Sequence, residues 1–350
     1  MIGYIARAIG APTPTLVLDQ RRLPRGEDEL RSVLTRVRDW LELKGRSDIL
    51  KFALVEPSDH PMFDLDYRFV QGLAAGNDRF DFQGSCGHSI LASVVAADGE
   101  AAWLPRLAPG GRVRVRVLNN GDHVVCEVDE ARRRSGSFTV HFLQDTGVRL
   151  NDLLLTRDAT DQLLTGSGVY EASLVSMGNP YVFVDAAELG MADEEELFAA
   201  GDDLFARMLE IRAAAAEALK WPVDSVFPKI AAVGAFTPGR LAVRAISVPK
   251  WHPSFALTGT TCLAAATAVP GTVTHRLARA AGLSRGVIEI DTPSGSTAAA
   301  ASVAGRGDGA DTLHWVSVSR KLAHLDEPAC IASLKDYDYK EETAWQPLAV

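Results

Sequence analysis

The sequence predicts an α/β (α+β) protein built as two related halves. Three observations predict it. At 350 residues the chain is too long for one ordinary core and suits two bodies of roughly 150 residues, the default, or one large α/β body. A strand, a turn of small residues and an apolar helix follow one another twice, over 78–97 and again over 242–268. Such self-similarity marks an internal duplication whose two helix N-termini could face each other. Between the copies, 111–148 alternates apolar and polar residues at period two, the pattern of antiparallel hairpins.

Taken in order, the first helix spans 26–43, with Leu30, Val33, Leu34, Val37, Trp40 and Leu41 on one stripe and three acids in its first turn. DILKFALVEPS then reads as a buried strand ending at Pro57. Lys51 inside it has two readings. Its stem can snorkel to water, or its ammonium can be desolvated toward the neutral pKa that a catalytic base requires. FDFQGSCGHSILASVVAADG turns through Gly84-Ser85-Cys86-Gly87 and opens a helix at 88–97. The free N–H groups of such a helix start favour a thiolate or a substrate carboxylate at Cys86, whereas the bland alternative is a buried thiol in a tight turn. The hairpins carry Cys126, His123 and His141, read as structural, and the Arg132-Arg133-Arg134 run is read as a solvated tip. SLVSMGNPYVFVDAAEL joins two strands through Gly178-Asn179-Pro180, and a helical stretch covers 193–219. The second copy follows: the strand LAVRAISVPK, an approach through His252-Pro253, the turn 258–261 and a helix over 262–268. A further turn, 292–296, follows the strand GVIEIDT.

Composition excludes several classes. With 47% hydrophobic and 23% charged residues the chain is globular rather than disordered. A net charge of −9 without a basic stripe argues against nucleic acid as a partner. The four cysteines, at 86, 126, 262 and 330, lack metal spacing and read as reduced thiols. Neither a signal-like N-terminus nor an apolar run of about 18 residues is present, so no membrane partner and a cytoplasmic location are expected. GxGxxG at a strand end, a P-loop and HExxH are all missing, and no metal or organic cofactor is expected.

Gly84-Ser85-Cys86-Gly87, Met177-Gly178-Asn179-Pro180, the Thr258-Gly259 helix start and Pro293-Ser294-Gly295, in that order, resemble landmarks of the diaminopimelate epimerase fold. The longer context, from about residue 7 to 303, resembles its methylaconitate cis-trans isomerase family, which includes oxalomesaconate tautomerase and related allylic isomerases. The resemblance implies two pseudo-symmetric domains, each a curved mixed sheet around a central helix, with the site in the cleft. The expected divisions are 1–170, 171–311, and a segment 312–350 returning to the first domain. LKFALVEPS followed by DLDYRFVQ looks like the strand carrying the catalytic lysine, which falls on Lys51; the second catalytic group falls on Cys86. Thr258 stands where epimerases of the fold carry their second cysteine, and Cys262 reads as packing. The implied substrate contacts are Arg7, Ser85, Gly87, His88, Asn179, Thr258, Gly259, Thr260, Ser294 and Gly295.

The implied activity is a 1,3-allylic proton transfer on a small unsaturated di- or tricarboxylate. A racemase or epimerase of the same fold and an inactive carboxylate-binding homologue are the rivals. Monomer and homodimer both remain open. Two departures bear on the substrate: the family's Arg-Gly-Gly-Thr-Ser-Lys-Gly loop reads here Arg7-Ala8-Ile9-Gly10-Ala11-Pro12-Thr13, and His88 replaces its usual Asn after the cysteine turn.

Overall fold

A computed structural model of the chain describes residues 1–98, 103, 104, 106–247, 250–283, 286–331 and 334. The first half contains β1 (Ile2–Ala8), β2 (Thr15–Asp19), α1 (Glu27–Leu43), β3 (Lys51–Pro57), β4 (Leu65–Gly72), β5 (Phe80–Asp81), α2 (Gly87–Asp98), β6 (Arg112–Val117), β7 (His123–Arg132) and β8 (Ser135–Arg149). After β9 (Asp161–Thr165) the second half runs through β10 (Gly168–Met177), β11 (Asn179–Asp185), α3 (Glu194–Ala199), α4 (Asp202–Ala218), β12 (Lys229–Gly234), β13 (Arg240–Ser247) and β14 (Lys250–Trp251). It ends with α5 (Leu257–Ala268), α6 (Val273–Ala280), β15 (Val287–Thr292), β16 (Gly295–Ala304) and β17 (Thr312–Cys330).

The duplication is explicit in the strand pairing. In the first half β2 runs parallel to β3 and β4 parallel to β6, while β1–β2, β3–β4, β6–β7 and β7–β8 are antiparallel. The second half repeats the pattern, with β11 parallel to β12, β13 parallel to β15, and β10–β11, β12–β13, β15–β16 and β16–β17 antiparallel. Thus α2 corresponds to α5, β3 to β12 and α1 to α4. The long strand β17 pairs with β16, β8 and β1, so it closes the first ring and ties the two together. Residue 170 lies inside β10, and of the expected segment 312–350 the residues 332, 333 and 335–350 lie outside the described ones.

Each ring is filled by its own helix. Residues 87–97 of α2 and 257–266 of α5 are all buried. A helix with no solvent face has no charged or strongly polar stripe, and both segments combine apolar Ile, Val, Leu and Ala with small Ser and Thr. Their hydroxyls bond back one turn: Ser93 Oγ donates to the Ser89 carbonyl at 2.8 Å and Thr261 Oγ1 to the Leu257 carbonyl at 2.8 Å. One apolar cluster runs through both rings, and two more lie outside them, under α1 and under α4. Strand alternation separates the layers: in β3, Ala53 and Val55 face α2 while Phe52 and Leu54 face α1.

Two helix boundaries depart from the sequence reading. The stretch 193–219 is broken into α3 and α4 by extended backbone at Ala200 and Gly201, with Asp202 and Asp203 beginning anew at the favourable end of a helix dipole. The second core helix begins at Leu257, so the expected turn 258–261 lies within its opening turns.

Candidate active site

The N-termini of α2 and α5 meet at the middle of the molecule. A Cβ on Gly87 would lie 2.2 Å from Leu257 Cδ2, and one on Gly259 would lie 2.6 Å from both the Tyr181 hydroxyl and the Phe255 ring. Gly87 needs to be glycine for this approach, and Gly259 for the packing of Phe255 and Tyr181 on α5. Asn179 spans the junction, its Nδ2 donating to the Ser85 carbonyl at 3.2 Å and to Thr258 Oγ1 at 3.1 Å. Tyr67 donates its hydroxyl to the Cys86 carbonyl at 3.1 Å. The turn carrying Cys86 is therefore held from its own ring by Tyr67 and from the other by Asn179.

Beside this junction is a pocket of about 100 Å³ lined by Lys51, Ser85, Cys86, His88, Asn179 and Thr258 among others. Lys51 reaches it because it shares the inner face of β3 with Ala53 and Val55, and it is 7% exposed. Cys86 is partly exposed there, at the helix start. Cys262 is fully buried, its thiol donating to the Val175 carbonyl at 3.4 Å, and burial raises its pKa to about 12. It is a packing residue, as the sequence indicates.

The remaining sequence-predicted residues fall elsewhere. Gly87 forms the helix contact and Gly259 packs against Tyr181 and Phe255, and neither is part of the pocket wall. Thr260 is inside α5, wholly buried, with its hydroxyl bonded to the Ala256 carbonyl at 3.1 Å. Ser294 and Gly295 line a neighbouring hollow. Arg7 sits between Ala6 and Ala8, whose side chains join the core around α2; alternation turns it to the opposite face, and it lines none of the described pockets.

Several pocket groups were not singled out from the sequence, among them Lys229, Gln71, His252 and the carboxylate of Asp81. Lys229 opens β12 as Lys51 opens β3, in the same register against the preceding parallel strand: Tyr181 faces Lys229 as Thr15 faces Lys51. The signal was present, since Lys51-Phe-Ala-Leu-Val55 and Lys229-Ile-Ala-Ala-Val233 are two copies of one strand. Burial, then the nearby Arg212, lowers the Lys229 pKa to about 8, against the pull of Asp81 and Cys86.

The electrostatics are set by these cations and by burial. His88 and His252 stack with centroids 6.3 Å apart. Burial, followed by the charge of Lys51, pushes the His252 pKa down to about 3; His88 is held well below the usual histidine range by burial, then Lys321 and Lys51. Both rings are neutral at pH 7. Ser254 donates its N–H to His252 Nδ1 at 3.2 Å, which leaves the His252 proton on Nε2. Among the described residues no three His, Cys, Asp or Glu side chains form a metal cluster, and no helix is long and apolar enough to cross a membrane.

Twin rings whose core helices meet end to end over a cleft are the architecture of the diaminopimelate epimerase fold. The chain belongs to the PrpF protein family, whose model matches residues 44–327. It is similar to the 3-methylitaconate isomerase of Eubacterium barkeri, 28% identical over 284 residues that cover 70% of this chain and 74% of that one. It is also similar to the 4-oxalomesaconate tautomerase of Pseudomonas putida, 26% identical over 265 residues, 70% of this chain and 72% of that one. The crystal structure of a methylitaconate-delta-isomerase superposes with a TM-score of 0.65 at 21% identity, covering 94% of this chain and 95% of its own.

Proposed function

We propose that the cleft catalyses a cofactor-independent 1,3-allylic proton transfer, a double-bond migration or cis-trans isomerisation, on a small unsaturated di- or tricarboxylate, with Lys51 and Cys86 as the acid/base pair. The observation that carries this reading is that both groups line one pocket at a paired helix start. The proton leaves a carbon adjacent to a conjugated carboxylate, the electron pair spreads as a dienolate, and a proton returns two carbons away. Of Lys51 and Cys86, one takes the first proton and the other delivers the second. The charge that develops on the carboxylate is met by the free N–H groups of α2 and α5 and by Lys229. His88 and His252, being neutral, add hydrogen bonds without adding charge. The names of the two relatives, an isomerase of 3-methylitaconate and a tautomerase of 4-oxalomesaconate, support this reaction class.

Thr258 weighs against a one-carbon epimerase working with two thiols, because its hydroxyl is engaged by Asn179 at the position opposite Cys86. Proton NMR of candidate unsaturated di- and tricarboxylates incubated with the protein in deuterated water separates the readings. Exchange at two carbons is expected; exchange at one indicates an epimerase and none a binding protein. Lys51→Ala and Cys86→Ala should each reduce the exchange rate at least about a hundredfold, and wild-type rates in both would sink the assignment.

A further inference from the structure

Lys51 opens β3 and Lys229 opens β12, so the duplication brings two ammonium groups from opposite rings into one pocket. Among the described residues that line it, Asp81 at the end of β5 is the one carboxylate. A carboxylate is an unexpected wall for a cleft that takes carboxylates, since like charges repel, and its presence calls for another reason.

The acid is fixed in place. Gln71 of β4 stands opposite Lys51 on one side and opposite Asp81 on the other, so it separates Asp81 from the lysine of its own ring. Gln71 is itself committed, its Nε2 donating to the carbonyls of Leu50 at 2.9 Å and Gly72 at 3.0 Å. Asp81 Oδ1 accepts the N–H groups of Gln83 at 3.2 Å and Gly84 at 2.9 Å, which shapes the approach to Cys86. The Phe227 ring then joins this turn to the other half: its Cζ lies 3.9 Å from the site of a Cβ on Gly84, and Lys229 Nζ lies 5.6 Å from its centroid.

The second half supplies no matching acid. Ile230 pairs with Ile246, so the residue of β13 one step on, beside Lys229, is Ser247, and Ser247 faces Lys250 of β14, which is exposed. The place of Asp81 is therefore taken by a lysine, and the aromatic residues that follow, Phe82 and Trp251, match.

We infer that Asp81 is a positioning residue that sets the twin lysines apart: its carboxylate keeps the Lys229 ammonium charged and in place to meet a substrate anion, and leaves Lys51 for proton transfer. What each lysine does rests on the isomerase reading of the cleft; which lysine Asp81 acts on does not. The groups that face Lys229 are Arg212 of α4, Asp81 of β5, Cys86 at the start of α2, Lys51 of β3 and the neutral His252. Arg212 and Lys51 disfavour its charge, and Asp81 and Cys86 favour it. With burial already lowering the Lys229 pKa to about 8, loss of the Asp81 charge lowers it further, toward the pH at which the ammonium is lost under neutral conditions.

Trace labelling with acetic anhydride across the alkaline pH range, read lysine by lysine by peptide mass spectrometry, gives the midpoint at which each amine loses its proton. Asp81→Asn keeps an acceptor for the Gln83 and Gly84 N–H groups and removes only the charge. With its fold checked by thermal melting, its Lys229 midpoint should fall by about one pH unit, and its Lys51 midpoint by less than about half as much. Asp81→Glu disturbs the turn but keeps the charge, and should leave the Lys229 midpoint near that of the wild type. An unmoved Lys229 midpoint in Asp81→Asn, equal shifts at both lysines, or an equal fall in Asp81→Glu overturns the inference. Labelling needs no turnover, so the two readings fail separately. A protein without exchange activity whose Lys229 still responds to Asp81 keeps the pairing and loses the isomerase reading, and an active one whose Lys229 ignores Asp81 does the reverse.

Discussion

The neutral histidine pair gives the cleft a stability signature. His252 has a folded pKa of about 3 against an ordinary value of 6.5. Between those pH values the unfolded chain binds a proton that the folded chain does not. Stability is therefore fully present above pH 6.5 and is lost as pH falls, by up to about 1.4 kcal/mol per pH unit from this group alone. His88, shifted in the same direction, adds to the loss. His252→Asn keeps a side-chain acceptor for the Ser254 N–H and removes the titration. Urea unfolding at pH 7, 6 and 5 should show a smaller decline for the variant than for the wild type. Parallel declines would mean that the ring is not held neutral by its surroundings.

At the scale of elements, the site exists because two helices end where they do. Placing a methyl on Gly87 would bring it to 2.2 Å of Leu257 Cδ2 and 3.0 Å of Leu257 Cβ, so α2 and α5 must move apart. Gly87→Ala should cost about 1–3 kcal/mol in urea unfolding, the range for overpacking a close-packed contact. It should also slow exchange, because separation of the helices displaces Asn179 from Ser85 and Thr258. Wild-type stability together with wild-type rate would show that the contact is not needed.

The same elements mark how far the sequence could be read. α1, β3 and the hairpins β6 to β8 follow from periodicity, and α2 from its Ala-rich run, because in each the local pattern and the tertiary environment agree. The start of α5 was hidden. Thr258, Thr260 and Thr261 look like a polar turn, yet Thr260 and Thr261 bond to the carbonyls of Ala256 and Leu257 four residues back and so sit inside a buried helix. Lys51 and Cys86 were legible from their motifs, whereas Lys321 was not. It lies in a long strand between Arg320 and Leu322, and only the return of β17 across β8 and β1 brings it beside Gly10.

For the molecule as a whole, β17 sets the cooperativity. Val316 faces Phe142 of β8 on one side and Ala301 of β16 on the other, and it is fully buried. A proline there removes one ladder hydrogen bond and cannot be relieved at an edge, which costs about 3 kcal/mol or more. Because one strand serves both rings, and one apolar cluster fills both, the damage should not remain local. Hydrogen-exchange mass spectrometry of Val316→Pro should show protection lost together in Lys51–Pro57 of the first half and Lys229–Gly234 of the second. Loss confined to the second half would mean that the rings open independently. Joint loss would mean that the cleft is stable only while both rings are intact: its lysines come one from each ring, and no single ring can build the pocket.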